Sequence, residues 1–127
     1  MSKPIIFSIV ESSSHPNASG FYQHLGFQEY KFSAMRKALG KLKTLQPDFV
    51  VAEFFYGYGN NYAGVNVSNL DTLLSTLQRY APEAKMVVMV EKAERAYVDK
   101  LEQRFPLHAV LVHPVTPEQL QIALTAK

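Results

Sequence analysis

A chain of 127 residues with no cysteine has the length of one domain and excludes a disulfide framework, a thiolate zinc site and a cysteine nucleophile. Hydrophobic residues make up 47% and charged residues 19%, far from the profile of a disordered chain, so residues 1–127 are expected to fold alone as a single domain. A net charge of +2 and a pI near 8.8 do not mark a nucleic-acid binder.

The first apolar run, Ile5 to Val10, follows Met1-Ser2-Lys3-Pro4 directly and is too short for a secretion signal or a membrane span. No later run is longer, so the expected compartment is the cytoplasm, with no membrane partner. Ser14 to Leu25 predicts a short first helix, interrupted by Pro16 and Gly20, with Phe21, Tyr22 and Leu25 as its apolar face. Gly26 to Phe32 mixes Phe27, Tyr30 and Phe32 with polar residues and predicts a partly exposed edge strand.

Met35, Ala38, Leu39, Leu42 and Leu45 recur at helical spacing with lysines opposite, an amphipathic second helix. Phe49 to Ala52 is the next apolar run, and the Tyr/Gly/Asn-rich Tyr56 to Asn66 that follows is long for a strand-to-helix connection and is expected to form a mobile flap. A third helix is expected to start at Ser68, with the hydroxyl as cap, Asp71 at the positive end of the dipole, and Leu70, Leu73, Leu74 and Leu77 buried. Met86 to Val90 is a further strand, and Tyr97, Val98, Leu101 and Phe105 mark the next helix.

Ala109 to Val112 is the last apolar run. Thr116-Pro117-Glu118-Gln119 combines a threonine cap, proline at the first helical position and a Thr-x-x-Gln capping box, opening a helix that buries Leu120, Ala123 and Leu124. The runs Ile5–Val10, Phe49–Ala52, Met86–Val90 and Ala109–Val112 lack alternation and are expected to be central strands of a parallel sheet, buried on both faces. Five alternating strands and helices with right-handed crossovers predict an α/β fold, a three-layer doubly wound sheet of flavodoxin-like architecture.

Ligands of such sheets sit beyond the carboxyl ends of the strands, which places Glu11, Ser12, Glu53, Glu91, Lys92 and His113 at the candidate site. Gln46-Pro47-Asp48-Phe49-Val50-Val51-Ala52-Glu53 resembles the third strand of the receiver domain of bacterial two-component response regulators, which normally ends in the phosphate-accepting aspartate. Ala109-Val110-Leu111-Val112-His113-Pro114-Val115-Thr116-Pro117-Glu118-Gln119-Leu120 resembles its fifth strand and the start of its fifth helix, with His113 where the family has lysine. The resemblance covers nearly the whole chain. It places Glu53 at the acceptor, Glu11 and Ser12 at the metal-binding acids, and Glu91 near the switch serine or threonine, and it implies a cis peptide before Pro114.

The family implication is phosphoryl transfer to aspartate with magnesium, followed by rearrangement of the helix 4, strand 5, helix 5 face. Glu53 is one methylene longer than aspartate, Ser12 lacks a charge, and His113 is mostly neutral near pH 7, so the chain resembles an atypical pseudo-receiver in which that chemistry is not expected. Glu53 is then either a solvated or salt-bridged carboxylate or a fixed mimic of the phosphorylated state, with Lys92 or His113 as a partner.

The leading expectation is therefore a non-enzymatic signalling module that binds a protein partner, or a second copy of itself as a homodimer. Its surface is either the loop carrying Tyr56, Tyr58 and Tyr62 or the helix 4, strand 5, helix 5 face. No output domain, cofactor or nucleic-acid partner is expected, and no metal either, since His15, His24, His108 and His113 are dispersed. The alternative is a small flavodoxin-like enzyme or ligand-binding domain using Glu11, Glu53, Glu91 and His113 as an acid–base cluster. A third reading retains phosphorylation, on Glu53 or a nearby serine.

Overall fold

The computed structural model describes residues 3–12, 18–56 and 68–125. The predicted flap, with Tyr58 and Tyr62, falls outside them apart from Tyr56. In chain order the elements are β1 (Ile5–Ile9), α1 (Ser19–His24), β2 (Gln28–Phe32), α2 (Met35–Leu42), β3 (Phe49–Glu53), α3 (Asp71–Tyr80), β4 (Lys85–Val90), a 3-10 turn (Lys92–Glu94), α4 (Arg95–Glu102), β5 (Ala109–Val112) and α5 (Pro117–Thr125). The strands form one parallel sheet in the order β2-β1-β3-β4-β5.

Unbroken apolar runs place side chains alternately on the two faces, and each face has its own core. Phe7, Ile9, Val50, Ala52, Val88 and Val90 pack under α2, α3 and α4. Ile6, Phe49, Val51, Val87 and Met89 pack under α1 and α5. The result is the expected three-layer α/β fold.

One expectation is corrected. Ala109–Val112 is not a central strand: β5 pairs only with β4, and all its residues are half-exposed. An apolar run signals burial on both faces of the sheet but carries no information on whether a further strand lies beside it. β2 holds the opposite edge, as its mixed composition predicts.

The short first helix ends at a reversal that only glycine accommodates easily. Gly26 has φ +90, its N–H donates to the Gln23 carbonyl, and the Phe27 N–H donates to that of Tyr22, so buried Tyr22 and Phe27 meet across the turn. The third helix does not start at Ser68 as expected: α3 begins at Asp71, its cap position is Leu70 with no side-chain cap bond, and Ser68 and Asp71 instead bond within the turn before it. Ser68 Oγ accepts from the Leu70 N–H, and the Asp71 carboxylate accepts from the Ser68 N–H at 2.6 Å. Asp71 is buried beside Arg104 at 3.5 Å.

The Thr116–Gln119 box is formed in both directions, with the Gln119 N–H donating to Thr116 Oγ1 at 3.2 Å and the Thr116 N–H to Gln119 Oε1 at 2.9 Å. On α4, Val98 and Leu101 are buried but Tyr97 faces solvent, so Tyr97 does not share their apolar stripe. Among the described residues, no helix is long and apolar enough to cross a membrane.

Candidate functional site

In this strand order the chain reverses direction across the sheet between β1 and β3, which opens a crevice beyond their carboxyl ends. β1 delivers Glu11 and Ser12 to one side of it, and β3 delivers Glu53 to the other. A crevice of about 340 Å3 lies there, lined by Glu11, Ser12, Ser33 and Phe55.

Glu53 is buried, at 1% exposure. One carboxylate oxygen accepts the backbone N–H groups of Glu11 and Ser12, each at 3.0 Å, and the other accepts the Ser12 hydroxyl. A buried carboxylate is tolerated where such donors replace water, and two consecutive amides supply them here. Lys92 and His113, the partners expected from the sequence, make no hydrogen bond or ion pair with Glu53 among the described residues. The glutamate reaches across to the β1 end instead, beneath the residues that line the crevice.

Asn69 joins the two sides, a role that sequence reasoning missed. Its amide N–H2 donates to the Glu53 backbone carbonyl at 2.8 Å and to Glu11 Oε1 at 3.0 Å, while its carbonyl accepts the Phe55 N–H at 2.7 Å. The available signal was an asparagine just before a helix, where its side chain commonly substitutes for backbone hydrogen bonds. Burial raises the Glu11 pKa above its ordinary 4.5; the Asn69 hydrogen bond opposes this, and the negative charge of Glu53 adds to it.

Glu91 and Lys92 follow β4, and both are exposed. His113 follows β5, is half-buried, and donates its backbone N–H to the Val90 carbonyl at 2.9 Å. Its ring Nδ1 is buried without a hydrogen-bond partner among the described residues, and the bond to Pro114 is cis, as the resemblance implies. The structure thus brings Glu11, Ser12 and Glu53 together and leaves Glu91 on the surface, so the four-residue acid–base cluster is not assembled.

The residues do not fit a magnesium ion. Glu53's oxygens are turned onto the Glu11 and Ser12 donors, and Ser12 offers a hydroxyl, donated to Glu53, where an octahedral site needs convergent oxygen acceptors. Among the described residues, no group of three or more His, Asp or Glu side chains could hold a metal ion.

Next to this crevice, Tyr56 and Tyr97 stack with centroids 3.8 Å apart and planes at 15°. Their exposures are 41% and 38%, and the Lys100 ammonium lies 5.8 and 5.9 Å from the two ring centroids. The Tyr56 N–H donates to Glu94, and Tyr56 bridges to Ser68, so both ends of the 57–67 segment meet beside α4. Of the three predicted contact tyrosines, Tyr56 is placed at a surface, with Tyr97 as a partner the sequence did not indicate. His108 has a structural role, with Nε2 at 2.7 Å from the Ala123 carbonyl and its ring edge-on to Phe49.

Several solved structures that share this architecture are response-regulator receivers. A CheY-like receiver domain protein from Methanospirillum hungatei JF-1 superposes with a TM-score of 0.73 at 11% identity, covering 98% of this chain and 91% of that one. The fold is that of a receiver domain. A receiver protein from Sinorhizobium medicae WSM419 gives 0.70 at 18% identity over 98% and 92% of the two chains. A response regulator from Burkholderia pseudomallei, with a phosphorylated aspartic acid, calcium ion and citrate, gives 0.66 at 17% over 97% and 67%. No protein-family model and no curated protein matches the chain.

Proposed function

We propose that this receiver-like domain, spanning residues 1–127, is a cytoplasmic signalling module that works without aspartate phosphorylation and acts by binding a protein partner. The observation that carries the reading is Glu53: a buried carboxylate ends β3, where the receiver resemblance puts the acceptor, and is fastened to Ser12 and to the backbone of Glu11 and Ser12. An acceptor must present an oxygen in line to an incoming phosphoryl group, and this one is directed into donors of its own chain. Its hydrogen bonds tie the β1 end to β3, so Glu53 acts as a built-in stand-in for a transient phosphoryl group.

The partner surface is the stack of Tyr56 on Tyr97 of α4, with Lys100 of the same helix. Two half-exposed rings offer large amphipathic area with little rotamer entropy to lose. A second copy of the chain is one partner this face suits.

Intact-mass measurement after incubation with a small phosphodonor and magnesium tests the first half, and no phosphoryl adduct is expected. Formation of an adduct on Glu53 overturns it. Affinity capture from native extract with wild type and a folded Tyr56→Ala/Tyr97→Ala variant tests the second. A specific protein captured by the wild type and lost in the variant is expected, and a capture profile unchanged by the substitutions sinks this surface.

A further inference from the structure

A different side of the molecule carries an unbalanced charge. From Tyr30 to Pro47 the chain has five cations, Lys31, Arg36, Lys37, Lys41 and Lys43, and no acid, and all five are exposed. Across the α2–α3 contact, α3 adds exposed Arg79, and its one acid, Asp71, is buried beside Arg104 at the far end of the helix. Among the described residues none of these six cations forms an ion pair, and only Lys41 and Arg79 lean on rings, those of Tyr30 and Tyr80.

The contrast with α4 is informative, because there Arg95 pairs with Asp99 and the charges alternate in sign. On α2, Lys37 and Lys41 stand at i, i+4, a like-charge spacing that disfavours the helix. A groove of about 340 Å3 runs between the two helices, lined by Leu39, Lys43, Ser75, Thr76, Arg79 and Tyr80. Its cations flank an apolar and hydroxyl-bearing floor.

We propose that this groove docks an acidic, carboxylate-rich segment of a partner polypeptide. Lys43 and Arg79 take successive carboxylates, with the guanidinium able to bind one in two-point fashion, and the intervening side chains cover Leu39 and Tyr80. Bound anions relieve the repulsion along α2, and the field of six cations speeds encounter. A polypeptide is favoured over nucleic acid because the whole-chain charge is only +2 and the rings of Tyr30 and Tyr80 already carry cations. The proposal rests on the reading of the domain as a protein-binding module, but uses a surface separate from Tyr97.

Fluorescence anisotropy of a labelled oligoglutamate peptide with the full chain at low salt provides the test. Saturable, salt-weakened binding is expected, with Lys43→Glu/Arg79→Glu lowering affinity by roughly tenfold or more and Lys43→Gln/Arg79→Gln by less. Lys85→Glu/Lys92→Glu makes the same change in net charge elsewhere and should alter affinity by less than roughly threefold. Thermal unfolding confirms that each variant is folded, and Tyr97→Ala should leave oligoglutamate binding unchanged.

Equal losses in the two Glu double variants overturn the proposal, as does an absence of saturable binding. Tighter binding of duplex DNA or phosphatidylserine vesicles with the same dependence on Lys43 and Arg79 overturns it too, in favour of those ligands. If oligoglutamate fails while Tyr97-dependent capture of a partner persists, only the groove is refuted. If the groove binds its probe and that capture fails, only the α4 surface is refuted.

Discussion

Glu53 and Ser12, 41 residues apart in the chain, bond through both the Ser12 backbone N–H and its hydroxyl, so the end of β3 is tied to the residues after β1 through one buried carboxylate. Hydrogen bonds to a charged acceptor away from water are worth more than neutral ones, and Ser12→Ala should cost about 2 kcal/mol in urea unfolding. Glu53→Gln keeps an oxygen for the two amides and lets the hydroxyl accept instead, so it should cost only about 1 kcal/mol. Glu53→Asp is one methylene shorter, withdraws from these donors, and should cost about 2 kcal/mol or more. A neutral Glu53→Asp result would show that reach is not what the glutamate supplies.

Asn69 and Glu11 give the crevice a pH dependence. A carboxyl with a raised folded pKa contributes stability that is fully present below its unfolded value, here 4.5, and lost as pH rises through the folded value. Relative to Glu11→Gln, the wild type should therefore lose stability as pH rises above 4.5, measured by urea unfolding across that rise. Asn69→Ala removes the hydrogen bond that opposes the shift, so the Glu11 carboxyl signal in an NMR titration should move to higher pH. The same variant should cost about 2 kcal/mol, since the Phe55 N–H and Glu53 carbonyl also lose their partner.

The Tyr56–Tyr97 stack is testable without knowing the partner. A double-mutant cycle with Tyr56→Leu and Tyr97→Leu should return a coupling of about 1 kcal/mol. Lys100→Met should weaken the pair modestly, in proportion to a partly exposed cation–π contact. Zero coupling would mean that the rings are neighbours without attraction.

Tyr22 is buried at 1% exposure, and its hydroxyl has no hydrogen-bond partner among the described residues. Burial pushes its pKa upward, reinforced by the charge of Glu29. Tyr22→Phe removes the unsatisfied hydroxyl and keeps the ring, so it should stabilise the domain by about 1 kcal/mol, read as a rise in Tm. A fall in Tm would reveal a polar contact for this oxygen in solution.

Features that depend on spacing within one element were legible before folding. The unalternating runs at Ile5 and Phe49 announced strands covered on both faces, and the Thr116–Gln119 box announced a helix start, because periodicity and capping act over a few residues. The position of Glu53 at a strand end was equally plain, and with it the candidate site. Its hydrogen-bond partners were not: they come from positions 11 and 12, and Asn69 reaches Glu11 across 58 residues, separations set only by the order β2-β1-β3-β4-β5.

The same limit explains Tyr97 and β5. A residue at helical spacing can fall at the margin of the apolar stripe, and an apolar run can end a sheet as well as occupy its middle. The sequence by itself determined the strands and helices, the Thr116–Gln119 cap, the two-faced core and a glutamate at the end of β3, since these are local consequences of residue type and spacing. Only the tertiary structure decided that this glutamate turns onto Ser12, that Asn69 bridges the crevice, and that Tyr56 meets Tyr97 in the open, since each depends on which distant segments the strand order makes neighbours.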